Sequence, residues 1–153
     1  MFNTGAMELE IPGIADGARR PSVVVSYGLG LDSTCLLLRW LTEPQSRDFD
    51  LADMVVADCS FISLRKILPP AVALLRPSGK ILALIKPQFE AGKAEADRGG
   101  GVIRDAAVHE RVLREMEAFI AAQPGLQWRG ATESPILGPA GNKEFFALIE
   151  KTS

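Results

Sequence analysis

Short blocks of apolar residues, separated by polar or glycine-rich stretches, divide this chain into segments that predict alternating strands and helices. Unbroken runs of β-branched and other apolar residues predict buried strands, and apolar residues that repeat with a helical period predict helices. In chain order, the predicted elements are strand 22–26, helix 33–41, strand 54–58, helix 63–75, strand 79–86, helix 106–122, and two strands at 126–135 and 143–151.

The order of these elements predicts an α/β fold. Strands that alternate with helices form a mostly parallel sheet with helices packed on it, and the last two strands are expected to form an antiparallel hairpin. Residues 1–21 show no sustained apolar period and are predicted to be a leader. Residues 87–104 are rich in glycine and mixed charge, which indicates an irregular loop long enough to be functional.

Composition and charge narrow the classes of protein that this sequence can encode. The net charge of −2 gives no general attraction to nucleic acid or to a membrane surface. The charge is uneven, however, because residues 59–104 carry a net charge of +5 and the remainder carries −7. Two cysteines, Cys35 and Cys59, are too few for a disulfide framework, and no apolar run is long enough to span a bilayer. A cytoplasmic protein with no membrane partner is therefore expected.

Three charged residues fall at the predicted strand ends, where open α/β sheets bind their ligands. Asp58 ends one strand, Lys86 ends the next, and Glu144 begins the last strand, which reaches the same rim if it runs antiparallel. A lysine between two carboxylates at such a rim suits the removal of a proton from a hydroxyl group. A free lysine, with a pKa of about 10.4, is protonated at neutral pH, so orientation and charge balance are the roles expected of the acids. A purely structural ion pair is the alternative.

A glycine-containing loop follows the first predicted strand and is typical of phosphate binding. The stretch "VVVSYGLGLDSTCLLLRWL" places Gly28 and Gly30 between a β-branched run and the start of a helix. Backbone N–H groups at a helix start favour an anionic ligand. Two classes of enzyme use this device: one binds S-adenosylmethionine and the other binds the pyrophosphate of ATP. No metal site is expected.

The segment from "DMVVADCSFISL" through "KPQFEAG", together with "SPILGPAGNKEFFALI", resembles the TlyA-type, haemolysin-like rRNA 2′-O-methyltransferases of the wider FtsJ-like group. The resemblance covers about residues 51–150 and implies a Rossmann-like methyltransferase sheet, S-adenosylmethionine as cofactor, and ribosomal RNA or a ribosomal subunit as partner. The family uses a lysine, aspartate, lysine, glutamate tetrad. Matched by motif, Asp58, Lys86 and Glu144 take the last three places, and Lys86 is implied to help deprotonate a ribose 2′-hydroxyl group.

Other expected features of that family have no counterpart in this chain. The first lysine of the tetrad and the acid-glycine cofactor loop are missing, which predicts a truncated sheet and weak or absent binding of S-adenosylmethionine. Instead, "SYGLGLDST" resembles the loop of PP-loop ATP pyrophosphatases and their sulfate-reductase relatives. The residues that would line the cofactor phosphates in that resemblance are Ser26, Gly28, Gly30, Asp32 and Ser33.

A junction near Leu51 would explain both resemblances, with a leader at 1–21, a PP-loop-like unit at 22–50 and a methyltransferase part at 51–153. The main hypothesis is an incomplete RNA ribose methyltransferase that is inactive in this chain alone, with a partner copy able to complete the sheet. The alternatives are an ATP-binding module with an inert remnant and a non-catalytic RNA-binding fragment. Arg98 and Arg104 are candidate contacts to an RNA backbone, and His109 is expected to face solvent.

Overall fold

The computed structural model describes residues 24–28, 39–40, 42–46, 51–138 and 140–152. Within these ranges the backbone forms five strands and four helices, with one further helical turn at Pro44–Ser46. In chain order these elements are β1 (Val24–Gly28), β2 (Ala52–Asp58), α1 (Leu64–Leu74), β3 (Leu75–Ile85), α2 (Pro87–Glu90), α3 (Lys93–Arg98), α4 (Ala106–Ala121), β4 (Leu126–Glu133) and β5 (Phe145–Lys151).

The five strands form a single sheet in the order β1-β2-β3-β5-β4. The pairs β1–β2 and β2–β3 are parallel, whereas β5 is antiparallel to both of its neighbours, β3 and β4. Four strands therefore run in one direction and β5 alone is reversed. This confirms the predicted α/β class and the antiparallel pairing of the last two strands. It also brings the ends of β2 and β3 and the start of β5 to one rim of the sheet.

A hydrophobic core among the described residues holds the sheet and the two longer helices together. Alternate residues of β3, Ile81 and Ile85 among them, are fully buried, as the period of a strand with one inner face requires. Both α1 and α4 contribute an apolar face to this core, through residues such as Leu68 and Met116. Each buried side chain of this size stabilises the fold by about 1.5–3 kcal/mol, so the rim rests on a rigid support.

The two longer helices begin where the sequence provides a capping side chain. Ser63 caps α1 by accepting a hydrogen bond from the backbone N–H of Arg65 at 3.2 Å. Asp105 caps α4 in the same way, accepting from the N–H of Ala107 at 2.9 Å. Although two prolines lie inside α1, the structure assigns one continuous helix across them. No helix in the described part of the chain combines the length and the hydropathy that a membrane span requires.

The segment 87–104 differs from its prediction as an irregular loop. It contains two short helices, α2 and α3, followed by a glycine turn in which Gly100 and Gly101 have positive φ angles of 61° and 85°. Helices this short carry no measurable periodicity, so the sequence pattern could not show them. Contacts with neighbouring segments, described below, hold them in place.

Candidate active site

Lys86 occupies the centre of the rim and contacts the last residue of β2, Asp58, and Ser60 of the turn that follows. Its Nζ lies 2.6 Å from Asp58 Oδ1 and donates a hydrogen bond of 3.0 Å to Ser60 Oγ. The lysine side chain is only 11% exposed, whereas the Asp58 side chain is 59% exposed. An ammonium group has three N–H donors, and two of them face these partners. Asp58 and Ser60 fix the nitrogen, and among the described residues no third partner takes its remaining donor.

Glu144 lies at the same rim, opposite Lys86. The antiparallel register pairs Ile85 with Phe145, so the next residue of each strand segment, Lys86 and Glu144, stands just beyond this pair. Glu144 is 7% exposed, and no donor in the described part of the chain is paired with its carboxylate. Its Oε1 would lie 2.6 Å from a Cβ atom built on Gly138, so any larger residue there would displace the carboxylate.

The structure therefore brings Asp58, Lys86 and Glu144 to one rim, as the strand ends predict. Asp58 and Lys86 are in direct contact, whereas no ion pair joins Lys86 to Glu144 within the described ranges. Ser60 was missed by the sequence analysis, because a single serine in a turn carries no signal of its own. The stretch "VADCSFISL", which belongs to the segment that resembles the methyltransferase family, contains this serine between Asp58 and α1 and could have indicated it.

Two aromatic residues, Phe61 and Phe89, lie on the two turns that follow β2 and β3. Phe61 is 90% exposed and has a φ angle of 63°, a left-handed conformation that non-glycine residues adopt at an energetic cost. Its ring lies 5.0 Å from the ring of Phe89, centroid to centroid, at an interplanar angle of 48°. A solvent-exposed aromatic ring held in a strained turn beside a charged rim is available to stack on a planar ligand.

Burial changes the acidity of two groups next to the rim. Burial and, to a smaller extent, the charge of Asp58 raise the pKa of the Cys59 thiol to about 11, and the charge of Lys86 opposes both. The thiol is therefore neutral at physiological pH, and Cys59 is a packing residue. Burial also raises the pKa of Glu90, against the hydrogen bonds that its carboxylate accepts from Ser63 and Leu64 and against the charge of Arg65.

Asn142 fixes the glycine turn of residues 99–104 to the segment before β5. The asparagine is 3% exposed; its Oδ1 accepts from the N–H of Ile103 at 2.9 Å, and its Nδ2 donates to the carbonyl of Gly101 at 2.9 Å. His109 completes this contact, because its Nε2 lies 3.0 Å from the Ile103 carbonyl. The expectation that His109 faces solvent is wrong, since the residue is 7% exposed and its ring packs edge-on against Phe145.

The remaining candidate residues lie apart from the rim contacts or outside the described ranges. Arg98 and Arg104 are exposed at the two ends of the glycine turn, and neither pairs with the rim residues among the residues described. Ser26 and Gly28 belong to β1, where the backbone of Gly28 is in register with Asp58. Gly30, Asp32 and Ser33 lie outside the described residues, so their predicted role stays a prediction.

In the described part of the chain, no group of three or more His, Cys, Asp or Glu side chains could hold a metal ion. The chemistry of the rim is that of a lysine held by a carboxylate and a hydroxyl group, with a second, buried carboxylate nearby. Such a site can bind and orient a polar hydroxyl group and take part in moving its proton.

Comparison with known proteins identifies the class to which this fold and rim belong. A model of FtsJ-like methyltransferases matches residues 31–151, and the chain belongs to this family. Among curated proteins, the chain is 45% identical over 95 residues to YqxC of Bacillus subtilis, whose name describes an rRNA methyltransferase. It is 41% identical over 101 residues to TlyA of Mycobacterium tuberculosis, named as a 16S/23S rRNA (cytidine-2′-O)-methyltransferase.

The chain spans about a third of the length of these curated relatives, 33% of YqxC and 35% of TlyA, and the matches cover 62% and 63% of the chain. A solved structure of a protein from Streptococcus thermophilus, described as a hemolysin, superimposes with a TM-score of 0.66 at 42% identity. That match covers 72% of this chain and 39% of the other. The predicted resemblance to haemolysin-like, FtsJ-like proteins is confirmed, and the comparisons give the ATP alternative no support.

Proposed function

We propose that this chain is the catalytic-rim part of an S-adenosylmethionine-dependent methyltransferase that acts on the ribose 2′-hydroxyl group of ribosomal RNA. The single observation that carries the proposal is the contact of Lys86 with Asp58 and Ser60 at the rim, with Glu144 opposite, inside the residues that match the methyltransferase family. The names of YqxC and TlyA support ribosomal RNA as the substrate class.

Each rim residue has a distinct role in this proposal. Asp58 and Ser60 hold the Lys86 ammonium group in one position, and its remaining N–H is free to bind the 2′-oxygen. Lys86 orients the hydroxyl group and takes part in removing its proton, while the Glu144 carboxylate balances the charge of the lysine from the opposite strand. Phe61 offers an exposed ring on which an unstacked RNA base can lie.

The methyl donor fits the described residues only in part. S-adenosylmethionine, when bound, supplies an electrophilic methyl group to the oxygen that the rim orients. Among the described residues, the backbone of Gly28 is in register with Asp58 at this end of the sheet. The other glycine and the acid predicted for the cofactor loop, Gly30 and Asp32, lie outside these residues. Gly30 and Asp32 therefore have no role in the reaction proposed here.

The test transplants the rim into a full-length relative. Residues 51–151 of this chain replace the matching part of YqxC, and the chimera is assayed for transfer of a tritiated methyl group to unmodified ribosomal subunits. We expect methylation by the chimera, a loss of at least about a hundredfold with Lys86→Ala, and no loss with Lys80→Ala. Lys80 is the matched control, because it lies in the middle of the same strand β3, where it is in register with Met54 and Glu150 and away from the rim. A folded chimera that binds subunits without methylating them would contradict the proposal.

The alternative of ATP binding is tested on the chain itself. Calorimetric titration with S-adenosylmethionine and with ATP, on one sample, compares the two nucleotide classes directly. We expect weak or undetectable binding of both, since the acid-glycine loop has no counterpart in the sequence. Micromolar binding of ATP would instead support an ATP-binding module, and micromolar binding of S-adenosylmethionine would show that Gly28 and Gly30 form a working cofactor loop.

A further inference from the structure

Two turns form the environment of Lys86, and contacts from Lys86, Phe89 and Glu90 join the second turn to residues 58–64. The first turn, residues 59–63, follows β2, and the second is α2, which follows β3. Lys86 joins the turns at one end through Asp58 and Ser60. At the other end they are joined by the ring contact of Phe61 with Phe89 and by the carboxylate of Glu90.

Glu90 makes the strongest contact at the far end, because both of its oxygens accept from the first turn of α1. Oε2 accepts a hydrogen bond of 2.6 Å from Ser63 Oγ, and Oε1 accepts one of 2.7 Å from the backbone N–H of Leu64. Both lengths are typical of hydrogen bonds to an ionised acceptor. A carboxylate at the first turn of a helix is further stabilised by the partial positive charge of the free N–H groups there.

The position of Glu90 in its own turn connects this contact to Lys86. Lys86 occupies the N-cap position of α2, directly before its first residue, and Glu90 is the last residue of this four-residue helix. Because α2 is a single turn, anchoring one end of it fixes the backbone at the other end. The strained φ angle of Phe61 shows that the facing turn is also held in one conformation by its neighbours.

We infer that Glu90 is a positioning residue for Lys86: its carboxylate fixes α2 against residues 59–63, and this holds the lysine nitrogen within reach of Asp58 and Ser60. The inference takes its catalytic meaning from the proposed function. The contact itself, however, can be measured without any methyl transfer.

The experiment measures how accessible the Lys86 amine is in the full chain. Lysines are labelled competitively with a small amine-acylating reagent, and the labelling rate of each lysine is read by mass spectrometry. Lys151 is the internal control for folding, because its Nζ donates to the carbonyls of Val72 and Leu75, at 3.3 and 2.7 Å, away from the rim.

We expect Glu90→Ala, which removes both hydrogen bonds, to raise the labelling rate of Lys86 at least about tenfold, since the loss of a single hydrogen bond to a charged group corresponds to about this factor. The rate at Lys151 should stay unchanged. Glu90→Gln should lie within about twofold of the wild type, because an amide can still accept from Leu64 N–H and can donate to Ser63 Oγ. Ser63→Ala, which removes one of the two bonds, should give a smaller rise than Glu90→Ala.

The remaining outcomes count against the inference. Unchanged labelling of Lys86 in both Glu90→Ala and Ser63→Ala, with Lys151 still protected, would overturn it. Loss of protection at Lys151 in both variants would also overturn it, since Glu90 would then support the whole fold rather than one turn. Failure of the chimera to methylate ribosomal subunits, with the expected labelling pattern intact, would contradict the proposed function and leave the role of Glu90 standing.

Discussion

The Nζ atom of Lys86 and the Oδ1 atom of Asp58 lie 2.6 Å apart, although their residues are 28 positions apart in the sequence. The contact exists because β2 and β3 are parallel neighbours. Asp58 ends β2 and Lys86 comes directly after β3, so both lie at one rim of the sheet. The Lys86 side chain is largely buried, so the surrounding residues fix its position, whereas its partner Asp58 is exposed to solvent. The pair is thus accessible to a ligand while its geometry is fixed by the sheet.

The first prediction uses the Cys59 thiol as a probe of this charge pair. Burial and the charge of Asp58 raise the pKa of Cys59 to about 11, whereas the charge of Lys86 acts to lower it. Asp58→Asn should therefore lower the pKa and speed alkylation of Cys59, whereas Lys86→Met should slow it. The measurement is the alkylation rate of the Cys59 peptide against pH. Equal rates in both variants would mean that the pair does not carry the charges assigned to it.

The second prediction concerns the anchor of the glycine turn. Asn142→Ala should lower the free energy of unfolding by about 2–4 kcal/mol, because it leaves the buried N–H of Ile103 and the carbonyl of Gly101 without partners. Urea denaturation measures the loss. Gln127→Ala is the matched control, since it removes an exposed amide from β4 and should change stability by less than about 0.5 kcal/mol. A similar loss in the two variants would contradict the anchoring role.

The third prediction is a pH dependence of stability that comes from Glu90. Because burial raises the pKa of this carboxyl group in the folded chain above its ordinary value of 4.5, the folded state binds the proton more tightly than the unfolded state. The contribution to stability is complete below pH 4.5 and is lost as the pH rises through the folded pKa.

Glu90→Gln removes this group and should flatten the stability curve between pH 4.5 and the raised pKa of Glu90. The measurement is the denaturation midpoint at a series of pH values for both proteins. Curves that stay parallel over this interval would show that the pKa of Glu90 does not differ between the folded and unfolded states.

The fourth prediction is that the chain alone binds RNA weakly and does not methylate it at a useful rate. Contacts from a few basic side chains to phosphates release counterions, so affinity should fall as salt rises. Arg98→Ala and Arg104→Ala should each reduce the slope of log K against log salt by about one. Arg114→Ala, on the exposed face of α4 and paired with Glu110, is the matched control and should leave the slope unchanged.

Filter binding of ribosomal RNA fragments at several salt concentrations measures the slope, and the tritium assay on the same sample measures methyl transfer. Methyl transfer by the chain alone that disappears in Lys86→Ala would refute the expectation of an incomplete enzyme. An unchanged slope in the two loop variants would remove the arginines from the RNA surface. The division of the chain at about Leu51 stays a prediction.

The sequence predicted what depends on strand periodicity and missed what depends on single tertiary contacts. The rim position of Asp58 and Lys86 follows from the ends of two apolar runs and the rule that parallel strands share a rim. The burial of His109 could not be predicted, because its partner is the Ile103 carbonyl, and a backbone carbonyl leaves no mark in the sequence. The helical turn α2 was missed because four residues carry no measurable period, and the contacts of Glu90 with Ser63 and Leu64 join segments far apart in the sequence.

The strand order has a consequence for how a nascent chain can fold. Of the five strands that the structure describes, β5 is synthesised last, and it lies in the sheet between β3 and β4. Until Phe145–Lys151 has been synthesised, β3 and β4 each lack the strand that lies between them, so their facing edges are unpaired. Such edges pair readily with other chains, so translation that stalls just before this segment should release an aggregation-prone intermediate. Completion of the sheet, and with it of the rim that carries Glu144, must therefore wait for the final strand.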